Sequence, residues 1–501
     1  MKDNFNKLMD NIENKAGKLY NYIDSVNIEN KIEHLYNYIR PKVSLQDTKT
    51  PIKHVVFLML ENRSFDQIFG YRNDFPRPFK VNGIENCNSL DETKRSFNLD
   101  KDGNKVYLNP MDAFTGHDDS THDLHATLCC INGLDGKENE QMSGFIKVNQ
   151  LMVKDSENSS NTIPALPSEI MSYFPCNSFP VFEYIANNFI ICDNWFASAP
   201  TCTQPNRAFA LCGQSDGHID NKTKGINPKL FYNCDTIFDR LNDKNLPWKV
   251  YYNDLPSSLL LDHQICFNNL KNYEHFRNFA SDIESGTLPV FSFIEPEYGF
   301  ESSSKKICDV NNGQTLVKNI IESLQSNSEI WNSTLFVISY DECGGYYDHV
   351  YPPKAISPNK TTEEDSYAFD QYGCRVPAML ISPRIPRGVD GTMYDHTSVL
   401  SFIEYNWDIE PLTDRDRNAN NFSHLINNKI RNIDLLSKTN LKFESAHETT
   451  LRNRGMVDDQ FLKTFSEYNL IHLISDDAEV LYNSNKELHT VVSNIVGKFS
   501  K

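Results

Sequence analysis

From residue 52 onward, short apolar runs alternate with longer mixed stretches. VVFLML (Val55–Leu60), FIIC (Phe189–Cys192), KVYY (Lys249–Tyr252), VFSFI (Val290–Ile294), TLFVISY (Thr334–Tyr340) and PAMLIS (Pro377–Ser382) read as strands. Continuous apolar runs, rather than alternating ones, suit strands buried on both faces, hence a mainly parallel sheet covered by helices. The stretch GQTLVKNIIESLQ (Gly313–Gln325) has helical spacing, with Leu316, Ile320, Ile321 and Leu324 on one side. The expected class is α/β, a three-layer α/β/α sandwich around a central, mainly parallel sheet.

The ends of the chain follow a different pattern. NIENKAGKLYNYI (Asn11–Ile23) recurs as NIENKIEHLYNYI (Asn27–Ile39), the copies differing only at Ala16/Ile32, Gly17/Glu33 and Lys18/His34. Ile12, Leu19, Tyr20 and Ile23 fit a helical stripe, and two copies are too few for a solenoid. Residues 1–50 are therefore expected to form a helical extension, a linker or a docking element for a partner or a membrane surface. Pro41 and Pro51 bracket the junction. Residues 51–440 are expected to form the main domain. Residues 441–501, with ELHTVVSNIVGKF (Glu487–Phe499), are expected to form a helical segment packed on it.

Composition narrows the function. The chain has 501 residues, 39% hydrophobic and 12% aromatic, enough for a large core. A net charge of −18 disfavours nucleic acid as a partner and leaves a membrane substrate open. There is no run of 18 apolar residues, so no transmembrane helix is expected. The first residues, MKDNFNKLMDNIENKAGKLY, lack the apolar centre of a secretory signal. The expected location is the cytoplasm as synthesised, with export by a signal-less route as the alternative. The 12 Cys include no CxxC pair and read as mostly buried thiols.

Candidate chemistry lies where the strands stop. Val55–Leu60 runs into Glu61-Asn62, Phe189–Cys192 into Asp193, the run at 249–252 toward Asp254, Val290–Ile294 into Glu295, and Thr334–Tyr340 into Asp341-Glu342. In an open parallel sheet, ligands bind beyond the carboxyl ends of the strands. One such acid is ordinary turn chemistry. Several crowded at one edge repel each other unless protonated or neutralised by a cation. A hydroxyl nucleophile has a candidate in TQPNR, where Thr203 stands near a helix start that would attract phosphate. Arg207 could neutralise phosphate oxygens or pair with a core acid.

ENRSFDQIFG, CDNWFASAPTCTQPNR, GTLPVFSFIEPE, WNSTLFVISYDECGGYYDHV, RVPAMLISP and YDHTSVLSFIEYNW follow one another in order. Together they resemble the phosphoesterase family of bacterial phospholipases C, plant non-specific phospholipases C and a related bacterial acid phosphatase. The resemblance implies an alkaline-phosphatase-like fold with the active site at the strand ends. It implies metal binding by Glu61, Asn62, Asp341 and Glu342, with Asn62 also a donor to phosphate oxygen. It implies Thr203 as the nucleophile that carries a phospho-intermediate and stands among the metal ligands. His117, in FTGHDD, matches a histidine that binds phosphate or assists the leaving group, with His122 and His125 as neighbouring alternatives. An all-oxygen ligand set suits Ca²⁺, Mg²⁺ or Mn²⁺, and Zn²⁺ fits if a histidine or Cys343 joins.

In one segment the pattern departs from the family. Relatives carry histidines where this chain has YGFESSSKKICDV (Tyr298–Val310), with Lys305 and Cys308 at the matching places. Either His349 or His396 substitutes, or Lys305 or Cys308 acts, or activity is reduced or lost. Asp395 before His396 caps a helix or faces the site. The implied function is a metal-dependent phosphoesterase that removes phospholipid head groups through phosphothreonine. The alternatives are an acid phosphatase for phosphomonoesters and a catalytically impaired phosphate- or lipid-binding protein.

Overall fold

The computed structural model describes residues 48–74, 78–111, 122–134, 140–156, 166–175, 178–221, 232–253, 256–264, 267–297, 310–358 and 367–439. The N-terminal repeat, the segment 441–501, His117, Asp254, Lys305 and Cys308 lie outside the described residues. The chain divides into units 1–47 and 48–501, and every described residue belongs to the second.

Eight strands form one sheet: β1 (His54–Leu60), β2 (Ile190–Cys192), β3 (Trp248–Tyr252), β4 (Tyr273–His275), β5 (Phe291–Glu295), β6 (Thr334–Tyr340), β7 (Ala378–Ile381) and β8 (Gly388–Asp390). Their order is β8-β2-β7-β6-β1-β5-β3-β4. All six apolar runs of the sequence are strands here. The two further strands sit at the sheet edges, where three residues without an apolar run suffice. Only β7 runs antiparallel to its neighbours β6 and β2. No helix among the described residues lies between β6 and β7. The chain re-enters the sheet from the edge at which β6 leaves it, so reversed direction follows.

Every residue of β1 and of β6 is buried, so both faces of the central sheet are covered, as a three-layer sandwich requires. Phe57 of β1 packs on Phe293 of β5 with ring centroids 5.6 Å apart. Burial of each such side chain contributes roughly 1.5–3 kcal/mol. The helix Val310–Ser326 buries Val317, Ile320, Ile321 and Leu324 in the same core, as its spacing dictates. A second, smaller core forms around Leu108, Ile131, Phe145, Ile146 and Met171 and packs against Cys343, Tyr347 and Cys374. This cap carries the helix Leu124–Asn132, whose first turn is closed by Asp123 accepting from Ala126 N at 2.9 Å. No helix among the described residues is long and apolar enough to cross a membrane.

Candidate active site

Strand register builds the centre. β1 and β6 are parallel neighbours with Leu60 opposite Tyr340, so the residues that follow, Glu61-Asn62 and Asp341-Glu342, leave the sheet side by side. Main-chain bonds continue the pairing past the strands: Asp341 N donates to Leu60 O at 3.0 Å, and Arg63 N to Glu342 O at 3.0 Å. Asp341 Oδ1 accepts from Asn62 N at 3.1 Å and from Glu342 N at 2.7 Å.

Asn62 turns the chain with φ 61°, a left-handed conformation that Asn tolerates better than most residues. Gly344 sits against it at φ 62°. A Cβ on Gly344 would stand 2.8 Å from Asn62 O and 3.0 Å from Asn62 Cβ. Gly344 N donates to Glu342 Oε2 at 2.6 Å. Glycine is therefore required here on two counts, backbone angle and space.

The helix Thr203–Cys212 is aimed at the same strand ends. Its fifth residue, Arg207, donates Nη2 to Met59 O at 3.0 Å and Leu60 O at 3.3 Å. Its Nε lies 3.4 Å from Asp341 Oδ2, and its Nη1 3.9 Å from Glu295 Oε2. Residues four apart share a helix face, so Thr203, the buried first residue, lies one turn nearer the helix start on the side that meets the strand ends. Asn206 holds the entry to this helix. Its Oδ1 accepts from Ala199 N at 2.9 Å, and its Nδ2 donates to Thr201 O at 2.9 Å and to Ala199 O and Cys202 O at 3.2 Å.

The residue types fit a hard divalent cation. Asp341, Glu342, Glu61, Asn62 and Thr203 offer oxygen only, and the buried Asp341 Oδ2 accepts no hydrogen bond. Arg207 offsets part of the carboxylate charge.

His122, on the cap, brings Nε2 to 3.6 Å from Glu342 Oε1. Thr127 Oγ1 donates to His122 O at 3.1 Å and fixes it at the start of its helix. His125 is exposed. Of the neighbouring histidines named from the sequence, His122 is thus the one seen against the strand-end acids.

The remaining candidates among the described residues are His396, Asp395 and His349. His396 receives Trp195 Nε1–H on Nδ1 at 3.2 Å. An indole nitrogen can only donate, so Nε2 carries the proton and donates to Asp341 O at 2.7 Å. Burial lowers the His396 pKa, in keeping with a neutral ring that supports the Asp341 backbone. Asp395 accepts from Ser198 Oγ at 2.8 Å and Thr397 Oγ1 at 2.6 Å and faces Arg415 Nη1 at 3.6 Å.

His349 belongs to a buried ion cluster that the sequence did not disclose as one. Its Nδ1 and backbone N each lie 2.7 Å from Asp66 Oδ2. Arg375 donates Nη2 to Asp66 Oδ1 at 3.0 Å and Nε to Asp348 Oδ1 at 2.9 Å, and Asp66 N donates to Asp348 Oδ2 at 3.2 Å. Burial opposes charge on His349, but Asp66 and Asp348 outweigh it and raise the pKa. Arg375 Nη1 also donates to Asn82 O at 2.7 Å and Asp193 O at 2.8 Å. This cluster bolts the helix Phe65–Phe69 to the segment after Glu342. The signal for it lay in Arg375, a lone charge heading the apolar run VPAMLIS.

Among the described residues, two sets of three groups could each hold an ion by proximity, Asp66/Asp348/His349 and Asp235/Asp239/His263. Arg375 already neutralises the first. The second is partly exposed, with Arg240 on Asp235 at 3.1 Å. Glu295 is satisfied by Ser257 Oγ at 2.7 Å and by Ser257 N and Ser258 N at 3.2 and 2.8 Å.

Comparison with known proteins places these elements in one group. The model of the Phosphoesterase family matches residues 52–410. Non-specific phospholipase C6 of Arabidopsis thaliana is 30% identical over 408 residues, covering 75% of this chain and 72% of that protein. Phospholipase C B of Mycobacterium tuberculosis is 27% identical over 405 residues, covering 71% of this chain and 73% of that protein. Hemolytic phospholipase C of Pseudomonas aeruginosa is 27% identical over 410 residues, covering 70% of this chain and 52% of that protein.

Proposed function

The chain belongs to the phosphoesterase family and is a phosphoric ester hydrolase, and on that premise we propose that it is a phospholipase C that acts through Thr203. The observation that carries the reading is the union of three segments: Glu61-Asn62, Asp341-Glu342 and the helix that begins at Thr203, joined by Asp341 Oδ1 and by Arg207.

Each residue has a task. The Thr203 hydroxyl attacks phosphorus, and the diacylglycerol oxygen leaves. The Thr203 backbone N–H at the helix start and the Asn62 side-chain amide donate to the phosphoryl oxygens as charge develops on them. Arg207 keeps the carboxylate cluster in register. His122 donates a proton to the departing oxygen, and then takes one from the water that cleaves the phosphothreonine. A divalent cation held by Glu61, Asn62, Asp341 and Glu342 would supply a lowered pKa for the Thr203 hydroxyl.

The phospholipid substrate is supported by relatives whose names are those of phospholipases C. The test supplies the enzyme, with Ca²⁺, Mg²⁺, Mn²⁺ or Zn²⁺ in turn, with phosphatidylcholine vesicles and separately with a phosphomonoester. Release of diacylglycerol with phosphocholine is expected. Orthophosphate from the monoester, with the vesicles untouched, would make it an acid phosphatase instead.

A further inference from the structure

Arg415 lies on the short helix Asp414–Asn418, far along the chain from Thr203, and is 1% exposed. Each nitrogen of its guanidinium donates to a backbone carbonyl: Nη1 to Ser198 O at 2.8 Å, Nη2 to Phe369 O and Nε to Ile356 O. The same group stands 5.1 Å from the ring centre of Phe209 and 4.8 Å from that of Tyr372. Phe209 belongs to the helix that starts at Thr203, and Ser198 to the loop that leads into it. The neighbouring Thr413 Oγ1 donates to Gly213 O at 3.3 Å, where that helix ends.

The backbone that Arg415 holds is itself constrained. Phe369 takes φ 51°, a left-handed conformation that is an outlier for a bulky residue, and its ring packs on Phe209 with centroids 5.5 Å apart. Such a conformation persists only where its neighbours over-determine it, and such places cluster at active sites. Here Arg415 holds the Phe369 carbonyl while the Phe369 ring presses on the helix.

A second line runs from Arg415 to the strand-end acids. Arg415 Nη1 faces Asp395 Oδ2 at 3.6 Å, and that oxygen accepts from Ser198 Oγ at 2.8 Å. Ser198 Oγ accepts from His396 N at 3.2 Å, and His396 Nε2 donates to Asp341 O at 2.7 Å. One buried guanidinium therefore meets both the loop before Thr203 and the relay that ends on the Asp341 backbone. Asn206 ties Ala199, Thr201 and Cys202 into one piece. A shift at Ser198 is thus passed on to Thr203 rather than absorbed between them.

We propose that Arg415 is a positioning residue of the phosphoester site: it sets the Thr203 hydroxyl against Asp341 without touching substrate. The proposal rests on the reading of Thr203 as the nucleophile. An attacking oxygen misplaced by about 1 Å loses about 10²-fold in rate even where substrate still binds. Lysine cannot replace Arg415, because a single ammonium cannot serve the carbonyls of Ser198, Ile356 and Phe369 around a planar fork.

The full chain, supplied with the divalent cation that best supports turnover, is mixed with phosphorus-labelled phosphatidylcholine and quenched with acid during the first turnover. Label on the Thr203 peptide gives a burst rate and a burst amplitude. Arg415→Lys is expected to keep the parent amplitude per folded enzyme and the parent KM, with a burst rate about 10²-fold lower. A residue that only stabilises the fold would lower the amplitude and leave the rate. Arg417→Lys, on the same helix but exposed, keeps both at parent values. Ser198→Ala removes the hydroxyl between Asp395 and His396 and slows the burst in the same direction; it decides the matter if Arg415→Lys does not fold. A parent-like burst rate in Arg415→Lys overturns the proposal, as does one in Ser198→Ala should the first variant fail to fold. A parent enzyme that carries no label on the Thr203 peptide overturns the nucleophile reading and the proposal with it, so the two failures are told apart by the parent alone.

Discussion

Arg207 Nε lies 3.4 Å from Asp341 Oδ2, and this contact joins the helix that starts at Thr203 to the strand end that carries Asp341. The two residues come from distant parts of the chain and are both buried. A buried guanidinium facing a buried carboxylate is costly unless its other protons are used. Here Nη2 is used by Met59 O and Leu60 O, the last carbonyls of β1. One side chain thus reads the ends of β1 and β6 together and sets the position of the helix start against both.

His122 is the cap residue that faces the strand-end acids, and its proposed task is protonation of a poor leaving group. His122→Gln should lower turnover on a phospholipid by about 10²–10⁴-fold. A nitrophenyl ester, whose leaving group needs no proton, should lose far less. His125→Gln, at an exposed position, should behave as the parent. Steady-state rates on both substrates check the split. Equal losses on both would remove the acid role.

Arg375 balances Asp66 and Asp348 in a site from which water is excluded. Arg375→Met leaves buried Asp348 without its cation and Asp66 with His349 alone, and should cost about 3–5 kcal/mol. Adding Asp348→Asn should recover part of that loss. Urea midpoints measure both. Arg375→Lys should not restore the parent value, because an ammonium cannot serve Asp66, Asp348, Asn82 O and Asp193 O in one plane.

Glu404 is pushed up to about 10 by burial and by the neighbouring Asp416. The folded state therefore holds a proton that the unfolded chain releases above its ordinary value of 4.5. Stability from this group is fully present below 4.5 and is lost as pH rises through about 10. Glu404→Gln keeps a donor for Asp416 and removes the titration. Its melting temperature should gain on the parent steadily from pH 5 to pH 10. Parallel curves for the two proteins would contradict the assignment.

Much of the scaffold was legible because the central strands are buried on both faces, which forces continuous apolar runs such as Val55–Leu60 and Thr334–Tyr340. The edge strands β4 and β8 were not, since three residues at a sheet margin need no such run. Strand order was not legible either. Glu61 and Asp341 could be seen to end strands, but only the β1–β6 register puts them side by side. Histidines were hardest to sort. His122, His349 and His396 look alike in sequence, and their tasks are set by partners far along the chain: Glu342, Asp66 and Trp195. Asp395-His396 reads either as a helix cap or as part of the site, and what the sequence hides is that both ring nitrogens of His396 are bonded within the fold.

The central claim is that Thr203 is the nucleophile. Its direct measurement is acid quench of the metal-supplied enzyme during turnover of a phosphorus-labelled phospholipid, followed by peptide mapping. The account predicts one labelled phosphoryl group on the peptide containing Thr203, and neither label nor turnover in Thr203→Ala at an unchanged melting temperature. A folded Thr203→Ala enzyme that still releases diacylglycerol at the parent rate would contradict it.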